Sequence, residues 1–459
     1  MLSLPRAAEP LLSRFSIAFT RPTYQRAMAL LVGFMLTVGR HTVTRALWTA
    51  RAICCGDGRG HFSDYHRVFC RARWSLWPLG KVLAAAVLEL VPPDRPVVCP
   101  VDDTAMQHRG KRVYGKGRHR DPCRSTRTHN VWIWGHCWVV LAVNVTFPFC
   151  GARPWALPVL AALYRTRAVN EQEGRRHKTP IVLARQLLAT LAHWFPRRRF
   201  VLVGDGHYAS HELARFCWRH RRRLTLVSSL HPRAHLCEAP APRRAGQMGR
   251  RRVRGAKLPH PQDAVAKATR RSRATVGWYG GKRRRVEFVS RAAHWYKPAD
   301  GLVPIRWVFV HDRDGTHEDR YFYSTDLTLS ASAIITLYTG RWSIEVTFQE
   351  TRQHLGLATP RNRKDTSVLR TVPCLLGLFS LTALLFHRSH ACDRGGKDPA
   401  PLTFPWYAKR DVTFSDAIAS VRRLLWEQTV FAESDRHHAL KKLPPPLRAS
   451  LLDQLSRAA

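Results

Sequence analysis

Apolar positions recur along this chain with two different periods. Up to about residue 95 they follow the helical one. "QRAMALLVGFMLTVG" and "RHTVTRALWTARAI" are periodic segments separated by a Gly-Arg-His-Thr break. The break has the form of a helix–turn–helix, and a DNA contact or plain helical packing accounts for it equally well. From residue 96 the apolar runs shorten to strand length. "PVVCPVDDT" (96–104) reads as a buried strand stopping at acids, and "VWIWGHCWVVLAVNVTF" (131–147) as a strand rich in β-branched and aromatic residues. "IVLARQLLATLAHWF" (181–195) returns to the helical period. "RFVLVGDGHYAS" (199–210) is a strand ending in an acid, "HELARFCWRHRR" (211–222) a helix and "LTLVSSL" (224–230) another strand. Strands alternating with helices predict an α/β sheet with a parallel part.

The pattern changes again at residue 231. Arg, Pro and Gly dominate, and "ATVGWY", "RRRVEFVS", "IRWVFVHD" and "DRYFYSTD" read as short strands, so 231–325 is expected to be a basic β-rich insertion. The helical period resumes at "SASAIITLYTGRW" and continues through 371–386. A last helix is expected over 408–426, with Ser415 as its N-cap.

Charge narrows the function. The chain has 459 residues, enough for several domains, and carries 75 Lys+Arg against 32 Asp+Glu, a formal net charge of +43. That imbalance points to a polyanionic partner, nucleic acid before an anionic membrane surface. The apolar run 27–39 is short of the roughly 20 residues that span a bilayer, and no basic amphipathic helix or signal-peptide layout is present, so no membrane role and a cytoplasmic location are expected. The 11 cysteines form no C-x-x-C pair, which argues for reduced thiols rather than zinc knuckles or a disulfide framework. "GWYGGKRRR" (277–285) lacks the spacing of a phosphate-binding P-loop, so an ATPase is not expected.

Acids are scarce, which makes their placement informative. Asp102, Asp103 and Asp205 all fall at predicted strand ends, where ligand sites gather in open α/β sheets. Read as one helix, "YTGRWSIEVTFQETRQHLGL" (338–357) puts Tyr338, Arg341, Glu345 and Arg352 on a shared stripe. Glu350 lies about 140° away from Glu345 on that helix. Carboxylates from separate elements suit hard divalent cations. Two such ions activate an attacking oxygen and stabilise the leaving one in phosphodiester chemistry. His207 reads as a turn residue. Trp132, Trp134 and Trp138 read as strand core, with base stacking as the lesser alternative, and Trp342 reads as helix packing.

These residues resemble a DDE transposase of bacterial insertion sequences, in the branch with a Y-x2-R-x3-E-x6-K signature. Here the signature is Tyr338, Arg341 and Glu345, with Arg352 where the family has lysine. "DDT" supplies Asp102 in the family's Asp-x-Thr context, and "VLVGDG" supplies Asp205. The family also inserts a β-domain between its second and third acids. The resemblance implies an RNase H-like mixed α/β sheet core flanked by helices, interrupted by that insertion. The expected domains are a helical DNA-binding region (1–95), the first part of the core (96–230), the insertion (231–325), the core's completing helices (326–390) and a tail with a helix (391–459). It further implies that Asp102, Asp205 and Glu345 are catalytic and bind Mg²⁺ or Mn²⁺. Asp103 is the substitute if the register shifts by one, since neighbouring strand residues face opposite ways. Tyr338, Arg341, Arg352, Lys111 and Lys116 are expected to contact DNA. Arginine in place of lysine makes the contact of Arg352 forked rather than point-like. The implied partners are double-stranded DNA, namely the terminal inverted repeats of its own element and target DNA, bound by a homodimer that is nucleoid-associated while on DNA. The implied reaction is strand cleavage and strand transfer. A transposase-derived binder without catalysis, and another RNase H-like nuclease, are the alternatives.

Overall fold

The long apolar runs of the chain pair into one sheet. The computed structural model describes residues 4–50, 61–121, 124–126, 128–243, 246–393, 399, 401, 408–431, 438 and 441–457. Its strands are β1 (Val97–Gln107), β2 (Gly117–Arg120), β3 (Trp132–Val145), β4 (Trp155–Tyr164), β5 (Phe200–Gly204), β6 (Leu224–Ser229), β7 (Leu236–Cys237), β8 (Ser272–Gly277), β9 (Arg283–Lys297), β10 (Gly301–Asp312) and β11 (Arg320–Ser324). They form an 11-stranded sheet in the order β2-β3-β1-β5-β6-β11-β10-β9-β7, with β4 also on β3 and β8 also on β9. β1, β5 and β6 run parallel, whereas β3 and β4 are antiparallel to their neighbours. The fold is therefore mixed α/β, a large mixed sheet flanked by helices. The strands of 231–325 add to this same sheet, because β11 pairs with β6.

β5, the central parallel strand, is short and buried on both faces, as crossover geometry demands. β1 does not stop at its acids as expected. It pairs with β5 only as far as Val101 opposite Gly204, but its antiparallel pairing with β3 continues to Gln107 opposite Gly135. Asp102 and Asp103 are thus mid-strand residues, just past the end of the parallel ladder. β4, "WALPVLAALY", is a strand that the sequence reading passed over, since burial on nearly every residue leaves no alternation to see.

The main helices are α1 (Arg21–Leu36), α2 (Val43–Thr49), α3 (Phe62–Cys70), α4 (Leu76–Leu88), α5 (Pro180–Trp194), α6 (His211–Arg219), α7 (Ala331–Gly340), α8 (Ser343–Leu355), α9 (Asp365–Asp393), α10 (Phe414–Leu425) and α11 (Pro445–Ser456). α1 and α2 bury their apolar faces in the main core, with Gly33 tight against the Ala46 carbonyl. α9 is long and apolar enough to cross a bilayer, but 78% of its apolar window is buried inside this fold. The N-cap of α10 is Thr413 rather than Ser415. Asp416 returns a bond to the Thr413 amide and completes a capping box. Cys70, Cys99, Cys137, Cys150, Cys217, Cys237 and Cys374 are free thiols. Cys54, Cys55 and Cys123 lie outside the described residues.

Candidate active site

The end of the parallel ladder decides which acids meet. Val101 on β1 is level with Gly204 on β5, so the next residues, Asp102 and Asp205, emerge side by side. Gly204 is needed there because a Cβ would lie 2.6 Å from the Cβ of Tyr208, which packs beneath the turn. The Asp205 carboxylate accepts the His207 amide at 2.9 Å, and Ser228 Oγ donates to the Asp205 carbonyl at 2.8 Å. His207 is an exposed turn residue, as expected. Asp103 faces away from Asp102. Its carboxylate lies 3.3 Å from the Cys137 thiol, and its charge helps raise the buried Tyr208 hydroxyl well above its usual range, after burial itself.

The predicted single helix over 338–357 is two helices. α7 ends at Gly340, α8 begins at Ser343, and the chain turns through Arg341 and Trp342 on tightened i to i−3 bonds. The Gly340 carbonyl is drawn out of the helical ladder by Asn144 Nδ2 at 3.1 Å and Ser343 Oγ at 2.9 Å. Ser343 Oγ also donates to Asn144 Oδ1 at 2.8 Å, so one polar residue of β3 clamps the corner. Sequence reasoning missed Asn144, although a lone amide inside the apolar run "VVLAVNVTF" was the available signal.

From this tightened turn Arg341 reaches the sheet. Its guanidinium donates from Nη1 to Asp102 Oδ2 at 2.6 Å and from Nη2 to Glu345 Oε1 at 2.7 Å. These two bonds tie Asp102 to Arg341, 239 residues later, and through it to Glu345 one helical turn further on. The side chains of Arg341 and Asp102 are 11% and 15% exposed, and that of Glu345 is 36% exposed. Burial drives the Asp102 carboxyl up to about 7; Arg341 lowers it, and Asp205 and Asp103 raise it further. Burial opposes the charge on Arg341, yet Asp102 and Glu345 hold its pKa above the ordinary value.

The other residues expected to contact DNA have these surroundings. Arg352 donates to Thr104 Oγ1, so α8 lies over the Asp102 face of β1. Tyr338 stacks on Phe322 with ring centroids 4.0 Å apart, and Arg341 Cζ is 6.0 Å from its ring. Lys111 and Lys116 stand on the loop between β1 and β2, and Lys116 Nζ donates to the Gly110 carbonyl. Glu350 pairs with His354 instead. Trp342 is 44% exposed and meets Tyr279 edge-on rather than packing within its helix.

The donor set is carboxylate oxygen from separate elements, the chemistry of a hard divalent cation. Among the described residues no three His, Cys, Asp or Glu side chains gather closely enough to ligate one ion. The reason is visible: the Arg341 guanidinium stands between Asp102 and Glu345 as the cation on which they converge. The residues fit a metal chemically, with positive charge already supplied by the chain itself.

Comparison with known proteins follows the same lines. A family model described as DDE superfamily endonuclease matches residues 14–285, which include Asp102 and Asp205. A second, described as archaeal putative transposase ISC1217, matches residues 302–385, which include Glu345. Among solved structures, a piggyBac transposase synaptic complex with hairpin DNA aligns at TM-score 0.41 and 10% identity, covering 98% of this chain and 81% of that one, a likeness too weak to carry an argument. No match was found among curated proteins. With well over half its length matched by the first model, the chain belongs to the DDE superfamily of endonucleases.

Proposed function

We propose that this protein is a DNA transposase that cuts the ends of its own element and joins them to target DNA. The observation that carries this reading is Asp102 beside Asp205 at the open end of the parallel strands, with Arg341 bridging Asp102 to Glu345. The strand order β4-β3-β1-β5-β6, antiparallel then parallel, supports an RNase H-like core. The divergent side chains of Asp102 and Asp103 favour Asp102 as the first acid.

Asp102, Asp205 and Glu345 would hold Mg²⁺ or Mn²⁺, which supplies activation of the attacking oxygen and charge stabilisation of the leaving one. The chain's own residues do the rest. Arg341 offsets part of the charge of Asp102 and Glu345 before DNA binds and offers a fork that matches a phosphate when it turns outward. Arg352, Lys111 and Lys116 meet the backbone on either side, and the +43 charge gathers DNA by releasing counterions. Terminal inverted repeats as the recognised sequence, a homodimer as the assembly and bacterial insertion sequences as the source belong to the same proposal.

The test uses DNA carrying the sequences that flank the gene, with Mg²⁺ or Mn²⁺, and compares the wild type with Glu345→Ala and Asp205→Asn. End cutting and joining in the wild type, lost in both variants, are expected. Tight binding without cutting in either ion would replace this reading with a non-catalytic binder. Cutting without joining would make the protein a hydrolytic nuclease.

A further inference from the structure

β3 carries two exposed tryptophans. Trp132 is 47% exposed and Trp134 is 58% exposed, while Ile133 between them is buried, as is Trp138 further along. The strand reading that placed Trp132 and Trp134 in the core fails because only the later part of β3 is covered on this face. Both rings point the same way, about 7 Å apart along the strand. Opposite them β2 pairs Arg118 with Trp134 and Arg120 with Trp132, and both arginines are exposed. Arg118 Cζ sits 4.6 Å above the Trp132 ring. The adjoining loop adds exposed Arg109, Lys111 and Arg112, and "QHRGKRVYGKGRHR" (107–120) contains no acid.

This patch has a direction as well as a composition. Val140 on β3 pairs with Asp102, and Trp134 lies an even number of residues before it on the same strand. The tryptophans therefore share the sheet face of Asp102, roughly 20 Å away along the strand. A duplex buries its base faces and presents phosphate, which arginine and lysine alone would meet. Flat indoles flanked by cations suit the open faces of unpaired bases with a phosphate backbone beside them. We infer that Trp132, Trp134, Arg118 and Arg120 form a stacking platform for an unpaired DNA strand leaving the acid site. This inference rests on the transposase reading for the identity of the strand, while the binding chemistry is separate from it.

The test measures binding by fluorescence anisotropy with the full chain in EDTA, so that no cutting occurs. The probes are labelled oligothymidine and a duplex of the same length. The double substitution Trp132→Ala/Trp134→Ala is expected to weaken oligothymidine binding by about thirtyfold or more. Duplex binding should change by less than about threefold, because its phosphate contacts remain. Trp132→Phe/Trp134→Phe should restore most of the loss. Ultraviolet crosslinking of bromouridine-substituted oligonucleotide to the wild type, mapped by mass spectrometry, should label the peptide holding Trp132 and Trp134, and this decides the matter if the alanine variant does not fold. Equal loss for both probes, no loss for either, no rescue by phenylalanine, or crosslinks confined to other peptides would each overturn the platform. A wild type that binds through these tryptophans but never cuts would sink the transposase reading and leave the platform standing. Cutting with unchanged oligothymidine binding would do the reverse.

Discussion

Arg341→Met is the most informative single change. The arginine is buried and bridges Asp102 and Glu345 at 2.6 and 2.7 Å, so removing it strands a carboxylate with Asp205 and Asp103 nearby. Breaking one side of a buried pair costs about 3–5 kcal/mol. The low end applies here, because Glu345 is 36% exposed and water takes up part of the loss. For 459 residues, unfolding entropy of about 2.1 cal/mol/K per residue gives roughly 1 kcal/mol/K, so ~3 kcal/mol lowers Tm by about 3 °C. The effect depends on pH. Asp102 is raised from 3.8 to about 7 in the folded chain, so its contribution to stability is complete below 3.8 and lost as pH climbs through about 7. Without the arginine that lowers it, the folded value rises further and the loss continues to higher pH. The gap between variant and wild type should be small at about pH 5.5 and reach its full size at about pH 8.5. Scanning calorimetry at both pH values measures it. Millimolar Mn²⁺ should then raise Tm more in the variant than in the wild type, because the ion no longer competes with a guanidinium. A gap equal at both pH values would refute the argument, as would Mn²⁺ stabilising the two proteins alike.

Three further outcomes follow from the geometry. Asp102→Asn should abolish end cutting while Asp103→Asn retains it, since the two side chains face opposite sides of β1; the reverse result in a cleavage assay would shift the register by one. Gly135→Ala should destabilise the sheet by about 3 kcal/mol or more or prevent folding, because its Cβ would lie 1.8 Å from the Met106 carbonyl oxygen, and backbone cannot yield as a side chain can; soluble expression with an unchanged melting curve would contradict this. Arg422 is fully buried and donates to the carbonyls of Met35, Thr37, His354 and Arg457, so Arg422→Met should cost about 3 kcal/mol in urea unfolding by leaving acceptors unsatisfied where α1, α8 and α10 meet.

The lines of the fold most visible in the sequence are those with strong local period. α5, α6, β5 and β6 lie close to where apolar spacing put them, because each is decided by neighbours within a few residues. β4 escaped notice because a strand buried on both faces has no alternation, and its identity depends on the helices that cover it. The corner at Gly340 escaped because Asn144, almost two hundred residues earlier, captures the carbonyl that would have continued the helix. The outward tryptophans of β3 were hidden for a related reason. Alternation along a strand says that its two faces differ, but which stretch of a face is covered depends on packing.

By itself the sequence determined the scarcity and order of the acids, the basic character of the whole chain and the periods of its main elements. Those are local or compositional properties, present before any long-range contact forms. Tertiary structure decided what the acids do for one another. The register of Val101 with Gly204 set Asp102 beside Asp205, and the turn at Gly340 brought Arg341 between Asp102 and Glu345. Burial then moved the Asp102 carboxyl to about 7. Register, long-range capture and desolvation are all products of which distant segments touch, and only the folded chain supplies that.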